Sequence, residues 1–275
     1  MKEKINQEQR AFFTWTILTR CATNKRTISY GELAKELNLH HRAVRFILGV
    51  IQDYCLYNEL PPLTILVINQ STGLPGDGFI AWDIENSADG VQKVYNYNWA
   101  KLDNPFQYAK VGLTQEQLVE SIINSPDSSE TIYAKVKVRG VSQRLFRQAL
   151  LKVYNYSCAF CGLTFKEALE ASHIIPYAIS NSNQRLDVRN GLLLCSTHHK
   201  LFDKGFLTVN QDYTIKYFDL AEEIIEHSLY DKLITIKLNG QKINLPTDKK
   251  HLPNKDYLKI HQQENEMEYD KPFIK

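Results

Sequence analysis

The sequence predicts a two-part α+β protein: an N-terminal winged helix-turn-helix domain, then a hairpin-and-helix unit braced by zinc. Three observations predict it. Apolar residues recur at helical intervals over residues 7–20 and 29–51. An apolar run at 63–69 (LTILVIN) ends in the turn-rich STGLPGDG. A C-x2-C pair, Cys158 and Cys161, is answered further along by a C-x2-H pair, Cys195 and His198.

Composition bounds the reading. With 275 residues and 43% hydrophobic content, the chain has room for one large domain or two modest ones, and disorder is not the default. There is no apolar run of membrane-spanning length, and the start MKEKINQEQR lacks the apolar core of a secretory signal, so a cytoplasmic protein without a membrane partner is expected. Of the five cysteines, three stand at metal-like spacing, while Cys21 and Cys55 are isolated in apolar surroundings. That usage fits reduced thiols rather than a secreted disulfide framework. Net charge is only +2 overall, yet residues 132–204 carry eleven Lys/Arg against four Asp/Glu. A basic concentration of this kind suits a polyanion such as DNA or RNA.

In chain order, QEQRAFFTWTILTR (7–20) reads as an amphipathic helix, and two further helices follow, separated by the polar turn at 38–41. Ser29 can cap YGELAKEL, and HRAVRFILGVI has a basic start and an apolar remainder. The strand at 63–69 and the Gly/Pro loop after it complete a winged-helix outline. Residues 86–90 read as a loop, and the aromatic VYNYNWAKLDNPF as a packing segment. Thr114 and Gln117 form a capping box opening TQEQLVESII, and NSPDSSE at 124–130 is the best linker. The expected division is 1–83 for DNA recognition, 84–130 as connector and 131–275 as the second domain. Within the last, TIYAKVKVRG (131–140) alternates like a strand, and SQRLFRQALLKVYNY reads as a helix with Leu145, Phe146, Leu150 and Leu151 inward. LEASHIIP (169–176) reads as a strand carrying His173, and LLLC as its partner. FLTVNQDYTIKYF forms a hairpin, 231–245 a second strand pair around Asn239-Gly240, and the end a Pro/Lys-rich tail and a polar helix.

TISYGELAKEL, Arg42-Ala43-Val44 and PPLTILVINQSTGLPGDGF resemble the DNA-binding domain of the alkylguanine-DNA alkyltransferases and alkyltransferase-like proteins, over roughly residues 8–80. In that family a Pro-Cys-His-Arg-Val segment carries the accepting cysteine. Here the similar position reads Pro62-Leu63-Thr64-Ile65-Leu66, so alkyl transfer is not expected. The resemblance implies that Arg42 enters the duplex stack and helps extrude a base; the plainer reading is that Arg42 and Arg45 meet phosphates.

Cys158, Cys161, Cys195 and His198 are the donors a tetrahedral structural zinc takes, and a Gly follows the first pair. Without zinc this part of the fold should loosen. His173, Asn190, His199 and Asp203 are left over, and His199 and Asp203, four apart on one helix face, can share a divalent cation. The ordered set His173, Asn190-Gly-Leu and His198-His199-x-x-Phe-Asp, set between the two metal pairs, resembles the HNH nuclease family and, more closely, its restriction-endonuclease branch, over about 140–210. The resemblance implies a ββα-metal fold in which His173 is the general base, Asn190 braces the loop and His199 is a metal ligand, with Asp203 where some members add another. Many members have an Asp or His just before the base as a ligand; here that position is Ser172, for which Glu170 or Asp203 could compensate.

The expected function is metal-dependent DNA endonuclease activity by phosphodiester hydrolysis, in a restriction or defence setting, with structural Zn²⁺ and catalytic Mg²⁺ or Mn²⁺. Arg185, Arg189, Lys200 and Lys204 are the phosphate contacts it suggests. Double-stranded DNA is the partner, the N-terminal resemblance raising modified DNA as the target, and cutting both strands would ask for a homodimer. Two other readings stay open: a zinc-stabilised DNA-binding regulator, and a damaged-base sensor without cleavage.

Overall fold

The computed structural model describes residues 5–136, 139–218 and 227–269. It is a helix-dominated α+β structure whose described strands form three two-stranded sheets. The chain divides into two compact units, Met1–Thr114 and Gln115–Lys275. No described helix is long and apolar enough to cross a membrane.

In the first unit, α1 (Gln7–Thr23) begins where the Asn6 side chain accepts the backbone N–H of Gln9, and it buries Ala11, Trp15, Leu18 and Ala22 along one face. After the two-residue β1 (Ile28–Ser29) comes α2 (Tyr30–Glu36), opened by the cap expected at Ser29. The Ser29 hydroxyl accepts Glu32 N–H at 3.2 Å and the Glu32 carboxylate accepts Ser29 N–H at 2.8 Å. A turn through Asn38, in the left-handed region at φ 51°, leads to α3 (His41–Tyr57), which buries Val44, Ile47, Leu48 and Ile51 and leaves Arg42 and Arg45 exposed.

The strand expected at 63–69 is mostly absent. Leu63–Leu66 is a 3-10 turn, and only β2 (Val67–Ile68) pairs, in parallel with β1. Pro61 and Pro62 offer carbonyls but no N–H, and these accept Leu63 and Ile65 at 2.7 and 2.8 Å, closing tight turns. All four residues of the turn are buried, so no solvent-facing alternation exists for a strand to satisfy. The loop expected at 86–90 is instead the start of α4 (Ser87–Asn96). Gly90 is there for contact rather than for turning: a Cβ would stand 2.7 Å from Ile65 and 2.8 Å from Trp82. The aromatic segment after α4 does pack, since Trp99 and Phe106 meet Trp15 edge-on at centroid distances of 5.7 and 6.0 Å.

The second unit opens with α5 (Gln115–Asn124), the turn Pro126–Ser128, α6 (Ser129–Val136) and α7 (Arg139–Val153). The stretch read as a linker is therefore a compact turn inside this unit. The alternation read as a strand at 131–140 is helical through Val136, where Ile132 and Val136, four apart, are the apolar residues buried; residues 137–138 of that reading lie outside the described residues. Along α7, Leu145, Phe146, Ala149, Leu150 and Leu151 are buried as the pattern predicts.

Next come β3 (Leu169–His173) and β4 (Gly191–Cys195), antiparallel with Leu169 opposite Cys195 and His173 opposite Gly191, then α8 (Ser196–Asp203). β5 (Leu207–Val209) and β6 (Ile215–Tyr217) form the expected hairpin. The strand pair expected over 231–245 does not form. Ser228 and Asp231 cap each other reciprocally and start α9 (Leu229–Ile234), a 3-10 turn follows at Ile236–Leu238, and a single bridge, Thr214 to Lys242, remains. The polar final helix, α10 (Lys255–Tyr269), lies on this unit: Leu258 is buried and Asn254 N–H donates to the Arg189 carbonyl at 2.9 Å.

The hairpin is packed on α7 through a glycine. A Cβ on Gly191 would stand 2.6 Å from both Leu150 and Phe146, which are fully buried and have no room to retreat. Gly191→Ala is expected to destabilise the second unit by about 1–3 kcal/mol, measured as a lowered denaturation midpoint at unchanged slope.

Candidate functional site

Four donors close together at one end of the β3–β4 hairpin. The ligand atoms of Cys158, Cys161, Cys195 and His198 all lie within 4.8 Å of one another, and Cys195 Sγ is 3.2 Å from His198 Nδ1. The first pair sits on a tight turn in which Gly162 N–H returns to the Cys158 carbonyl at 2.9 Å, with Gly162 at φ 74°. The second pair straddles the corner where β4 becomes α8.

This donor set fits a tetrahedral metal, whose ligands stand about 3.5–3.8 Å apart at zinc–sulfur and zinc–nitrogen bond lengths. The imidazole is also correctly turned. His198 Nε2 lies 3.0 Å from the Ile234 carbonyl and must donate to it, which leaves Nδ1 as the nitrogen facing the sulfurs. Hydrogen bonds from the Cys158 and Cys161 thiols hold the Cys195 sulfur well below the usual thiol range. Burial disfavours a charged His198, but the sulfurs beside it outweigh that and push it up to about 10. The cluster thus attracts positive charge before any cation arrives. Backbone support comes from the stretch read as a strand pair: Ile234 orients His198, and Asn244 donates to the Ala159 carbonyl at 2.7 Å and, through its side chain, to the Cys158 carbonyl at 3.2 Å.

On the strand, His173 stacks on Phe146 at 3.9 Å with the rings 14° apart, and Tyr177 meets its edge at 5.6 Å. Its Nε2 is 3.1 Å from the Arg185 carbonyl and donates to it, so Nδ1 keeps its lone pair. Burial pushes the His173 pKa down to about 4, against the smaller opposing effect of that carbonyl.

Asn190 is fully buried and spends its amide on the loop after His173. Its Oδ1 accepts Ile175 N–H at 2.8 Å, and its Nδ2 donates to the carbonyls of Gln184 at 3.1 Å and Ile175 at 3.3 Å. The next carbonyl along, that of Arg185, is the one holding His173.

His199 lies between two carboxylates. Its Nδ1 hydrogen-bonds Glu170, and its Nε2 is 3.3 Å from Asp203 Oδ2. Ser172 is completely buried, and its hydroxyl donates to Asp203 Oδ1 at 3.5 Å.

His173, Tyr177, His199, Lys200, Asp203 and Lys204 line one cleft of about 860 Å³, so the general-base candidate and the two α8 residues face the same space. The opposite rim was not foreseen: His261, Glu264 and Asn265 of α10 complete it. His261 stacks on Phe202 at 3.9 Å and accepts the Thr208 hydroxyl at 2.8 Å. No local signal in a polar terminal helix announces such a contact.

The basic residues divide. Lys200 and Lys204 are exposed at the cleft. Arg185 donates to the Tyr133 hydroxyl at 2.5 Å and lies over the rings of Tyr133 and Tyr177. Arg189 is paired with Asp187 at 2.9 Å and Asp127 at 2.7 Å, which commits its guanidinium to the fold. Arg147 likewise serves structure, donating to the carbonyls of Leu169 and Lys166. In the first unit, Arg42 is exposed, and Arg45, its guanidinium over Phe46, lines a cavity of about 290 Å³ with Tyr30, Gln52, Thr64 and Phe79.

The site thus joins a hairpin and a helix at a Cys3His cluster and puts His173 in one cleft with His199 and Asp203. Residues 158–210 match the family described as HNH endonuclease. That segment is an HNH endonuclease domain. No curated protein matches the sequence. Among solved structures, the chain is similar to a modification dependent TagI restriction endonuclease, with 17% identity, a TM-score of 0.27, and coverage of 42% of this chain and 35% of that one. This chain therefore aligns with about a third of that protein's length.

Two outcomes follow from the site. Chelation of the Cys3His metal, or Cys195→Ser, is expected to lower the thermal midpoint of the second unit and release about one zinc per chain, read by calorimetry and metal analysis. The pKa of His173, followed by NMR titration, is expected near 4. Since the folded state then binds fewer protons than the unfolded chain, stability falls as pH drops from the ordinary histidine value of about 6.5 towards 4 and is unaffected by this group above that window.

Proposed function

We propose that the protein is a metal-dependent DNA endonuclease that hydrolyses phosphodiester bonds at the His173 cleft, with zinc in the Cys3His cluster. The observation that carries the reading is the convergence of His173, His199 and Asp203 on one cleft, with the two exposed lysines of α8 beside them.

In this reading His173 is the general base. Nδ1 takes a proton from water, because Nε2 is committed to the Arg185 carbonyl and burial keeps the ring neutral at physiological pH. A group held near 4 is a weak base, but phosphate anions entering the cleft favour the imidazolium and raise its proton affinity as the reaction needs it. The hydroxide formed attacks phosphorus and the bond to the departing 3′-oxygen breaks. Asn190 fixes the loop that presents the Arg185 carbonyl, so it acts on His173 at one remove. Lys200 and Lys204 contact phosphates; Arg189, held by Asp187 and Asp127, contributes to the fold of that wall instead. His199 Nε2 and Asp203 are the residues that would hold Mg²⁺ or Mn²⁺, which supplies Lewis-acid stabilisation of the pentavalent phosphate and the leaving oxygen.

The first unit, in the same reading, is a winged-helix recognition domain that selects modified DNA in a cytoplasmic restriction system, with residues 1–83 reading DNA, 84–130 connecting and 131–275 cutting, as a dimer where both strands are cut. Its support is the exposed basic start of α3, with Arg42 exposed in its first turn and Arg45 at the cavity. Thr64 lines the same cavity, and its hydroxyl is buried without a hydrogen-bond partner.

Plasmid nicking with Mg²⁺ or Mn²⁺ tests the cutting reading. His173→Ala is expected to lower the cleavage rate by about 10²–10⁴-fold without changing DNA binding; a wild-type protein that binds DNA and never cuts would make it a regulator. For the first unit, duplexes carrying methylated, hydroxymethylated or alkylated bases are expected to bind more tightly than plain DNA, with Arg42→Ala removing the difference.

A further inference from the structure

The strand position where a metal ligand was looked for is occupied by a serine that is completely buried, and the nearest other carboxylate on that strand, Glu170, already has a partner. Glu170 and Ser172 are two apart on β3, so both side chains leave the same face of the hairpin. His199 and Asp203 are four apart on α8, so both leave the same face of the helix. The two pairs meet in register. Glu170 bonds His199 Nδ1, and the Ser172 hydroxyl donates to Asp203 Oδ1 at 3.5 Å.

We propose that Glu170 and Ser172 are positioning residues for the divalent-cation site, each orienting one of the two α8 side chains that take the cation. The proposal rests on the nuclease reading above. A carboxylate accepts only from a protonated nitrogen, so Glu170 holds a proton on His199 Nδ1 and leaves Nε2, 3.3 Å from Asp203, as the nitrogen open to a cation. Ser172 in turn occupies one oxygen of Asp203 and leaves Oδ2 facing Nε2. A histidine ligand whose second nitrogen is held by a carboxylate is fixed in tautomer and ring angle and is a stronger donor. Glu170 therefore does not stand in for the missing strand ligand. It acts through His199, and a serine at 172 is suited to this arrangement because a third carboxylate beside Asp203 would repel it in the cation-free protein.

The test has readouts besides activity. In the zinc-loaded protein saturated with Mg²⁺, nitrogen-15 NMR of the histidine rings is expected to show His199 protonated on Nδ1 with Nε2 on the cation, and Glu170→Gln to weaken that preference. Free Mn²⁺ followed by EPR during titration is expected to give about 10–100-fold weaker binding in Glu170→Gln and a smaller, several-fold loss in Ser172→Ala, with cleavage recovered at raised Mn²⁺. Glu170 is 43% exposed, so the Glu170 variants are expected to keep the wild-type melting temperature; Glu170→Asp, which keeps the charge but shortens the reach, should bind between the wild type and Glu170→Gln. A wild-type His199 that carries its proton on Nε2, or a Glu170→Gln protein with unchanged Mn²⁺ affinity, overturns the proposal. His199→Ala separates the two failures. If it abolishes Mn²⁺ binding and cleavage while Glu170→Gln alters neither, only the positioning role falls, and if it alters neither, the nuclease site falls with it.

Discussion

The corner where β4 turns into α8 is the constraint on which the second unit depends. Cys195 is the last residue of the strand and His198 belongs to the first turn of the helix, while Cys158 donates no helix or strand of its own and is brought to them by a tight turn. A metal joining these groups would set the angle at which α8 leaves the hairpin. That angle decides whether His199 and Asp203 look back at β3 or away from it. A two-stranded sheet does not hold itself together alone, and a metal bond at the corner would fix such an angle directly. Chain from well beyond the motif reinforces it, through the Ile234 carbonyl on His198 and Asn244 on the Cys158 turn.

From that corner a second constraint runs to the other end of the hairpin. Gly191 stands opposite His173 in the register, and the missing side chain at 191 lets Phe146 and Leu150 rise against the strands. Phe146 is then the face on which His173 stacks. Asn190, one residue earlier, ties down the loop that supplies the Arg185 carbonyl. The Asn-Gly pair therefore acts from both sides, the glycine by admitting the ring beneath the imidazole and the asparagine by holding the acceptor beside it. Burial that keeps His173 uncharged is a by-product of the same packing.

The electrostatics of the unit are less simple than its count of charges. A surplus of basic residues over 132–204 suggested a continuous anion-binding face, yet several of those guanidinium groups are used internally. Arg147 closes the carbonyls at the start of β3, Arg189 neutralises Asp187 and Asp127, and Arg185 lies over two tyrosine rings. What faces the cleft is a smaller set, Lys200 and Lys204, together with the acidic residues Asp203 and Glu264. Arginine's planar fork satisfies carbonyls and carboxylates in a partly buried wall, whereas lysine's hydrated head stays in solvent.

How much was legible in the sequence depended on the range of the cause. The helices α1, α2, α3 and α7, the Ser29 cap, the β3–β4 and β5–β6 hairpins and all four cluster donors could be read directly, because periodicity, capping and ligand spacing are local. The same local rules misread 63–69, 86–90, 131–140 and 231–245. There an apolar alternation or a glycine was taken at face value, while burial on both faces, close approach of Trp82 to Gly90, or the Ser228–Asp231 cap decided otherwise. The candidate site shows the same division. The identities of His173, Asn190, His199 and Asp203 follow from sequence, but their geometry does not. That Glu170 faces His199, that Ser172 faces Asp203, and that α10 supplies the far rim of the cleft follow from contacts spanning tens of residues, which tertiary packing alone brings within reach.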